Sequence, residues 1–63
     1  MNKYEWSRGL DIFLMQCVVR NYFNFEIVAK EVTKEAIDRK INFDIEDPYS
    51  DEKCRLRWSY LHL

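Results

Sequence analysis

Placed at 100° per residue, the side chains that follow the first tryptophan sort into faces. Trp6, Leu10, Phe13, Leu14, Cys17 and Val18 share one broad apolar face. That face predicts a helix over about 5–21, buried along this side. Arg8, Asp11, Gln16 and Arg20 fall in the polar wedge. Ile12, Met15 and Val19 interrupt that wedge with a second apolar stripe, opposite the core. Such a stripe fits a second interaction surface, or a face covered by a terminus or loop folded over it.

The next segment opens on Asn24, a good N-cap, with Glu26 in the first turn where the helix dipole favours an acid. Phe25, Val28, Ala29 and Val32 recur at helical spacing, and Ala36 and Ile37 continue the stripe, so a second helix is expected over about 25–40. Glu26–Lys30 and Glu35–Arg39 add favourable pairs four residues apart; Lys30–Lys34 and Glu31–Glu35 are like-charged and add none. The acidic run "NFDIEDPY" then breaks the helical pattern. Pro48 disfavours a helical Asp47, and Phe43, Ile45 and Tyr49 alternate with acids. A loop over 41–49 is expected, its apolar side chains laid against the domain. The last segment, about 51–62, begins at the N-cap Ser50 with Asp51 and Glu52 in the first turn. Cys54, Trp58 and Leu61 form its narrow core stripe. The pattern is all-α, and its core is Trp6, Leu14, Val18, Phe25, Val28, Val32, Cys54, Trp58 and Leu61.

Length and composition narrow this picture. A chain of 63 residues holds at most one domain, and so small a core is marginal. An aromatic content of 16% compensates, because each such ring buries a large area. A single Gly and a single Pro argue against a turn-rich β fold. The net charge of −1 argues against a strong non-specific hold on phosphates. The apolar run around residues 12–19 is too short to span a bilayer. With no secretory leader pattern, Cys17 and Cys54 are expected as reduced, buried packing residues of an intracellular protein.

Catalysis has little to work with. His62 and Cys54 stand eight positions apart on one helix, more than two turns. Two Cys and one His lack metal-ligand spacing. The lone Gly9 excludes a glycine-rich phosphate loop, so no cofactor is expected.

Three residues carry a resemblance. Trp6, Phe25 and Trp58 resemble the regularly spaced tryptophans of Myb and SANT domains, Phe25 replacing the middle one. "FEIVAKEV" is similar to the family's second-helix pattern and "SDEKCRLRW" to its third. The resemblance implies a three-helix bundle with helix-turn-helix-like second and third helices, as in Myb, SANT and homeodomain-like folds. It spans nearly the whole chain, with a long insertion between helices 2 and 3, since thirty-two residues separate Phe25 from Trp58. Of the family's acidic cluster in helix 1 only Asp11 remains, and it is placed to pair with Arg57.

The resemblance also implies a face. DNA-reading positions on the third helix correspond to Glu52, Arg55 and Leu56, flanked by Lys53 and Ser59. Arg55 suits guanine, but a carboxylate at Glu52 is repelled by phosphates and Leu56 offers only apolar contact. Over residues 42–63 five acids face three Lys and Arg, which weakens the counterion-release contribution to DNA affinity. A protein partner is therefore favoured, such as a histone tail or a chromatin subunit, in a nuclear setting. Sequence-specific DNA binding and a purely structural subdomain of a larger protein are the alternatives. Fold resemblance alone assigns no function.

Overall fold

The computed structural model describes residues 6–40 and 49–63. Phe43, Ile45 and the rest of the expected 41–49 loop before Tyr49 lie outside them. Three helices are present, and no strand among the described residues: α1 over Arg8–Arg20, α2 over Phe25–Asp38 and α3 over Asp51–Leu61. Each is shorter than its apolar pattern suggests, because capping chemistry sets the ends.

Ser7 caps α1, its hydroxyl accepting from the Leu10 amide at 3.1 Å. The other end of α1 closes without glycine. Asn21 donates its side-chain amide to the Cys17 carbonyl at 2.9 Å, and the Phe23 amide reaches back to the Val18 carbonyl at 2.8 Å. That closure puts Tyr22 and Phe23 in left-handed conformations, φ 54° and 63°. Each such residue costs an L-amino acid about 1–2 kcal/mol. Asn24 then caps α2, accepting from the amides of Glu26 and Ile27. Lys40, φ 58°, takes the left-handed position after α2 that glycine usually fills. Ser50 caps α3 by accepting from the Lys53 amide at 3.2 Å.

α2 is the shared element: it packs on both neighbours, while α1 and α3 meet narrowly. Leu10, Leu14, Cys17 and Val18 of α1 bury against Phe25, Val28, Ala29, Val32 and Ala36 of α2. α3 sends only Cys54 fully inside. Tyr49, just before α3, is wholly buried and completes the core. Trp6, Phe13, Trp58 and Leu61 pack against this cluster half-buried.

Two expectations are corrected here. The fully buried centre combines aliphatic side chains with Tyr49, Cys17 and Cys54, and Trp6 and Trp58 form its rim. Trp6 meets Tyr49 edge-on at 5.1 Å, and Trp58 meets Phe23 edge-on at 5.4 Å. Ile37 does not continue the α2 stripe but is 56% exposed, since it stands roughly 120° from the centre of the stripe formed by Phe25, Val28, Ala29, Val32 and Ala36.

Leu14 is fully buried at the centre of α1. Leu14→Ala should cost about 2–5 kcal/mol, comparable to the whole stability of so small a domain. The measurement is a urea transition followed by far-ultraviolet circular dichroism. A variant within about 1 kcal/mol of wild type would show that this packing is not the core.

Candidate functional site

The acidic first turn and Ser50 cap start α3, and its inward residues fix which side chains face out. Glu52, Arg55, Leu56 and Ser59 are exposed, as their spacing predicts, and Leu56 is 63% accessible. Tyr60 is exposed on the same helix to a similar extent. Lys53 is half-buried and engaged within the protein. The Arg55 guanidinium lies 5.0 Å from the centre of the Phe25 ring, over the edge of the core.

Arg57 turns the other way. Its Nε donates to Asp11 Oδ1 at 2.9 Å and its Nη2 to Asp11 Oδ2 at 2.8 Å, joining α3 to α1. Both side chains are mostly covered, at 23% and 15% exposure. The guanidinium also lies 5.7 Å from the Trp6 ring and 4.7 Å from the Tyr60 ring. The Asp11 hydrogen bond raises the Arg57 pKa above its already high ordinary value. The pair expected between Asp11 and Arg57 is therefore present. Arg57 is spent on it, and is not an outward cation.

The second apolar stripe is on the surface. Ile12, Met15 and Val19 are all exposed on the back of α1. Tyr22 and Phe23 follow them at the end of the helix, also exposed. α3's outward face and α1's stripe are thus two separate candidate surfaces on different helices.

A polar node, not anticipated from the sequence, joins α1 to α2. Glu31 Oε1 accepts from Arg20 Nη2 at 2.9 Å and from Asn21 Nδ2 at 3.1 Å. Arg20 Nη2 also lies 3.4 Å from Cys17 Sγ. No pattern in the sequence pairs Glu31 with Arg20 and Asn21, which stand eleven and ten positions away on the other side of the turn. Burial first, then Glu31, pushes the Cys17 thiol up to about 12. Such a thiol is inert. Hydrogen bonds from Cys17, Arg20 and Asn21, in that order of effect, hold Glu31 below the usual carboxylate range.

Little here could do chemistry. Among the described residues no group of three or more His, Cys, Asp and Glu converges to hold a metal ion. A hollow of about 250 Å³ opens between α2 and the start of α3, lined by Glu26, Ala29, Lys30, Ser50 and Asp51. Its one hydroxyl, on Ser50, already serves as the cap. The His62 ring lies 4.1 Å from the Trp58 ring, with Nδ1 2.8 Å from the Trp58 carbonyl oxygen. Among the described residues no helix is long and apolar enough to cross a membrane.

Comparison of the chain with protein-family models, with curated proteins and with solved structures gave no match.

The two charged links have different signatures. A double-mutant cycle with Asp11→Asn and Arg57→Gln should give a coupling of about 1–3 kcal/mol, as for a charged hydrogen bond. A coupling near zero would mean that the pair does not hold α3. Glu31 has a lowered pKa, so the folded state takes up its proton less readily than the unfolded chain. Its stabilising effect is present above the ordinary carboxylate value of 4.5 and is lost as the pH falls through the lower folded value. Denaturant midpoints at neutral and acid pH should therefore converge in Glu31→Gln, relative to wild type. An unchanged acid dependence would show that Glu31 is not among the groups responsible. Because the pair is exposed, the difference shrinks in high salt.

Proposed function

We propose that this chain is a non-enzymatic recognition module of the Myb and SANT kind, binding a protein partner through the outward face of α3. The observation that carries this reading is the inward commitment of Arg57, which leaves Arg55 as the exposed arginine on the outward side of α3. Arg57 is tied to Asp11, and Arg55 lies over Phe25. The outward face then offers Leu56 and Tyr60 as apolar anchors beside the carboxylate of Glu52 and the hydroxyl of Ser59. Apolar anchors with an acidic neighbour suit a Lys- or Arg-rich peptide. A histone tail or a subunit of a chromatin or transcription complex has that chemistry, and a nuclear location goes with it.

A DNA-binding helix would want the opposite surface. Phosphate contacts need uncommitted cations, and base edges need donors at the tip of the reading face. Glu52 and Leu56 supply neither. The helix-turn-helix arrangement of α2 and α3 belongs to the same reading, as does the Myb-like role of Trp6, Phe25 and Trp58 around the core.

Amide shifts distinguish the two partners. Titration with a Lys- and Arg-rich peptide should move Glu52, Leu56, Ser59 and Tyr60, and Leu56→Asp should remove those shifts while leaving the helical spectrum intact. Mixed-sequence duplex DNA at low salt should leave α3 unmoved. Dispersed shifts centred on Arg55 that vanish as salt is raised would overturn the protein reading in favour of α3 in the major groove.

A further inference from the structure

The outward face of α3 has an order along the helix as well as a composition. Glu52, Leu56 and Tyr60 succeed one another at intervals of four residues, all within α3 and all exposed. Each step rises about 6 Å and turns about 40°, so the three side chains form one row, inclined roughly 26° to the helix axis. The row is one side chain wide. Arg55 and Ser59 stand on one side of it; Lys53, half-buried, and Arg57, turned to Asp11, stand on the other. Charge gives the row a direction. Among the described residues neither Glu52 nor the adjacent Asp51 enters an ion pair. The charged side chains that follow, Lys53, Arg55 and Arg57, are all cationic.

We infer that this row reads an extended segment of the partner in which a Lys or Arg is followed, at alternate positions, by two apolar residues. The inference rests on the protein-binding reading of α3 above and names the pattern that the partner carries. An extended chain sets the side chains of one face roughly 6.6 Å apart, on every second residue. That step is close to the rise from Glu52 to Leu56 and from Leu56 to Tyr60. One cation and two apolar side chains therefore meet the three positions in turn, and the residues between them point to solvent. The row fixes the spacing and the end taken by the cation, in either chain direction.

Charge complementarity sets the order. A cation is drawn to Glu52 and Asp51, and it is repelled from the Leu56 position, which has Arg55 as its chain neighbour. Apolar side chains lie instead on Leu56 and on the exposed part of Tyr60, whose ring the Arg57 guanidinium flanks at 4.7 Å. The exposed Ser59 hydroxyl beside the row offers a hydrogen-bond partner to the passing peptide backbone. A partner helix fits this face poorly. It needs an apolar stripe of about 100° or more, whereas Ser59 and Lys53 border the row at about 60° to either side of Leu56.

Three nine-residue peptides of one composition, one Lys, two Leu and six Ala, test the spacing. They are titrated into the 63-residue chain and followed by the amide shifts of Glu52, Leu56 and Tyr60. The peptide with Leu two and four residues after Lys should bind roughly fivefold tighter than the peptide with both Leu next to Lys. It should exceed by a similar factor the peptide with Leu four and eight residues after Lys, the spacing of a helix face. Glu52→Lys should reverse the charge preference, so that the alternating peptide with Glu in place of Lys becomes the tighter ligand. If that variant loses helix by circular dichroism, Glu52→Gln should remove the preference for Lys over Glu. Equal binding of the three spacings, tightest binding of the helical one, or binding of none would overturn the inference. The Lys- and Arg-rich peptide separates the two levels. If it still moves these amides, the spacing rule alone falls; if it does not, the protein-binding reading of α3 falls as well.

Discussion

The bidentate link from Arg57 to Asp11 is the charged tie between α3 and α1, made across their narrow contact while the apolar side of α3 packs on α2. α3 sinks only one side chain, Cys54, fully into the core, and Trp58 and Leu61 rest half-buried at its rim. A planar guanidinium gripping a carboxylate with two parallel hydrogen bonds is directional. With Arg57 pointing at α1, Leu56 is carried 100° away, to the outside. The outward face is thus what remains when Cys54, Trp58 and Leu61 turn to the core and Arg57 turns to Asp11.

The connection between α1 and α2 is built on a different principle. Four residues, 21–24, reverse the chain with no glycine, and two of them adopt left-handed backbone. The asparagines at its ends supply the compensating hydrogen bonds: Asn21 to the Cys17 carbonyl and to Glu31, Asn24 to the first amides of α2. The strain is local and the support reaches both helices. Phe23 gains the edge of Trp58 from this geometry, so the turn also touches α3.

Much of the fold could be read in advance, because periodicity and caps are local. Ser7, Asn24 and Ser50 cap as their chemistry predicts, and the stripes of α1 and α2 bury most of the expected residues, with Trp6 and Phe13 half-buried and Ile37 exposed. The Asp11–Arg57 pair was legible only through a resemblance, since forty-six positions separate the two residues. Tyr49 was placed against the domain by alternation alone, but its complete burial needed the three-dimensional partners Trp6 and α2. Arg55 shows where such reading stops. Spacing put it on an outward face, and it is exposed, yet its long aliphatic stem lets the charged end bend over Phe25. The node at Glu31 was invisible for a related reason: four side chains from two helices meet there, and no pattern along one strand of sequence records the meeting.

The two thiols sit at different seams. Cys17 is sealed between α1 and α2, and Cys54 is the one side chain of α3 that is fully buried. Neither can meet an electrophile while its helix is docked, and the elevated pKa of Cys17 removes what reactivity leakage would allow. Their alkylation therefore keeps time for separate events. Cys54 counts departures of α3, and Cys17 counts partings of the α1–α2 pair, so the chain carries its own two clocks for local opening.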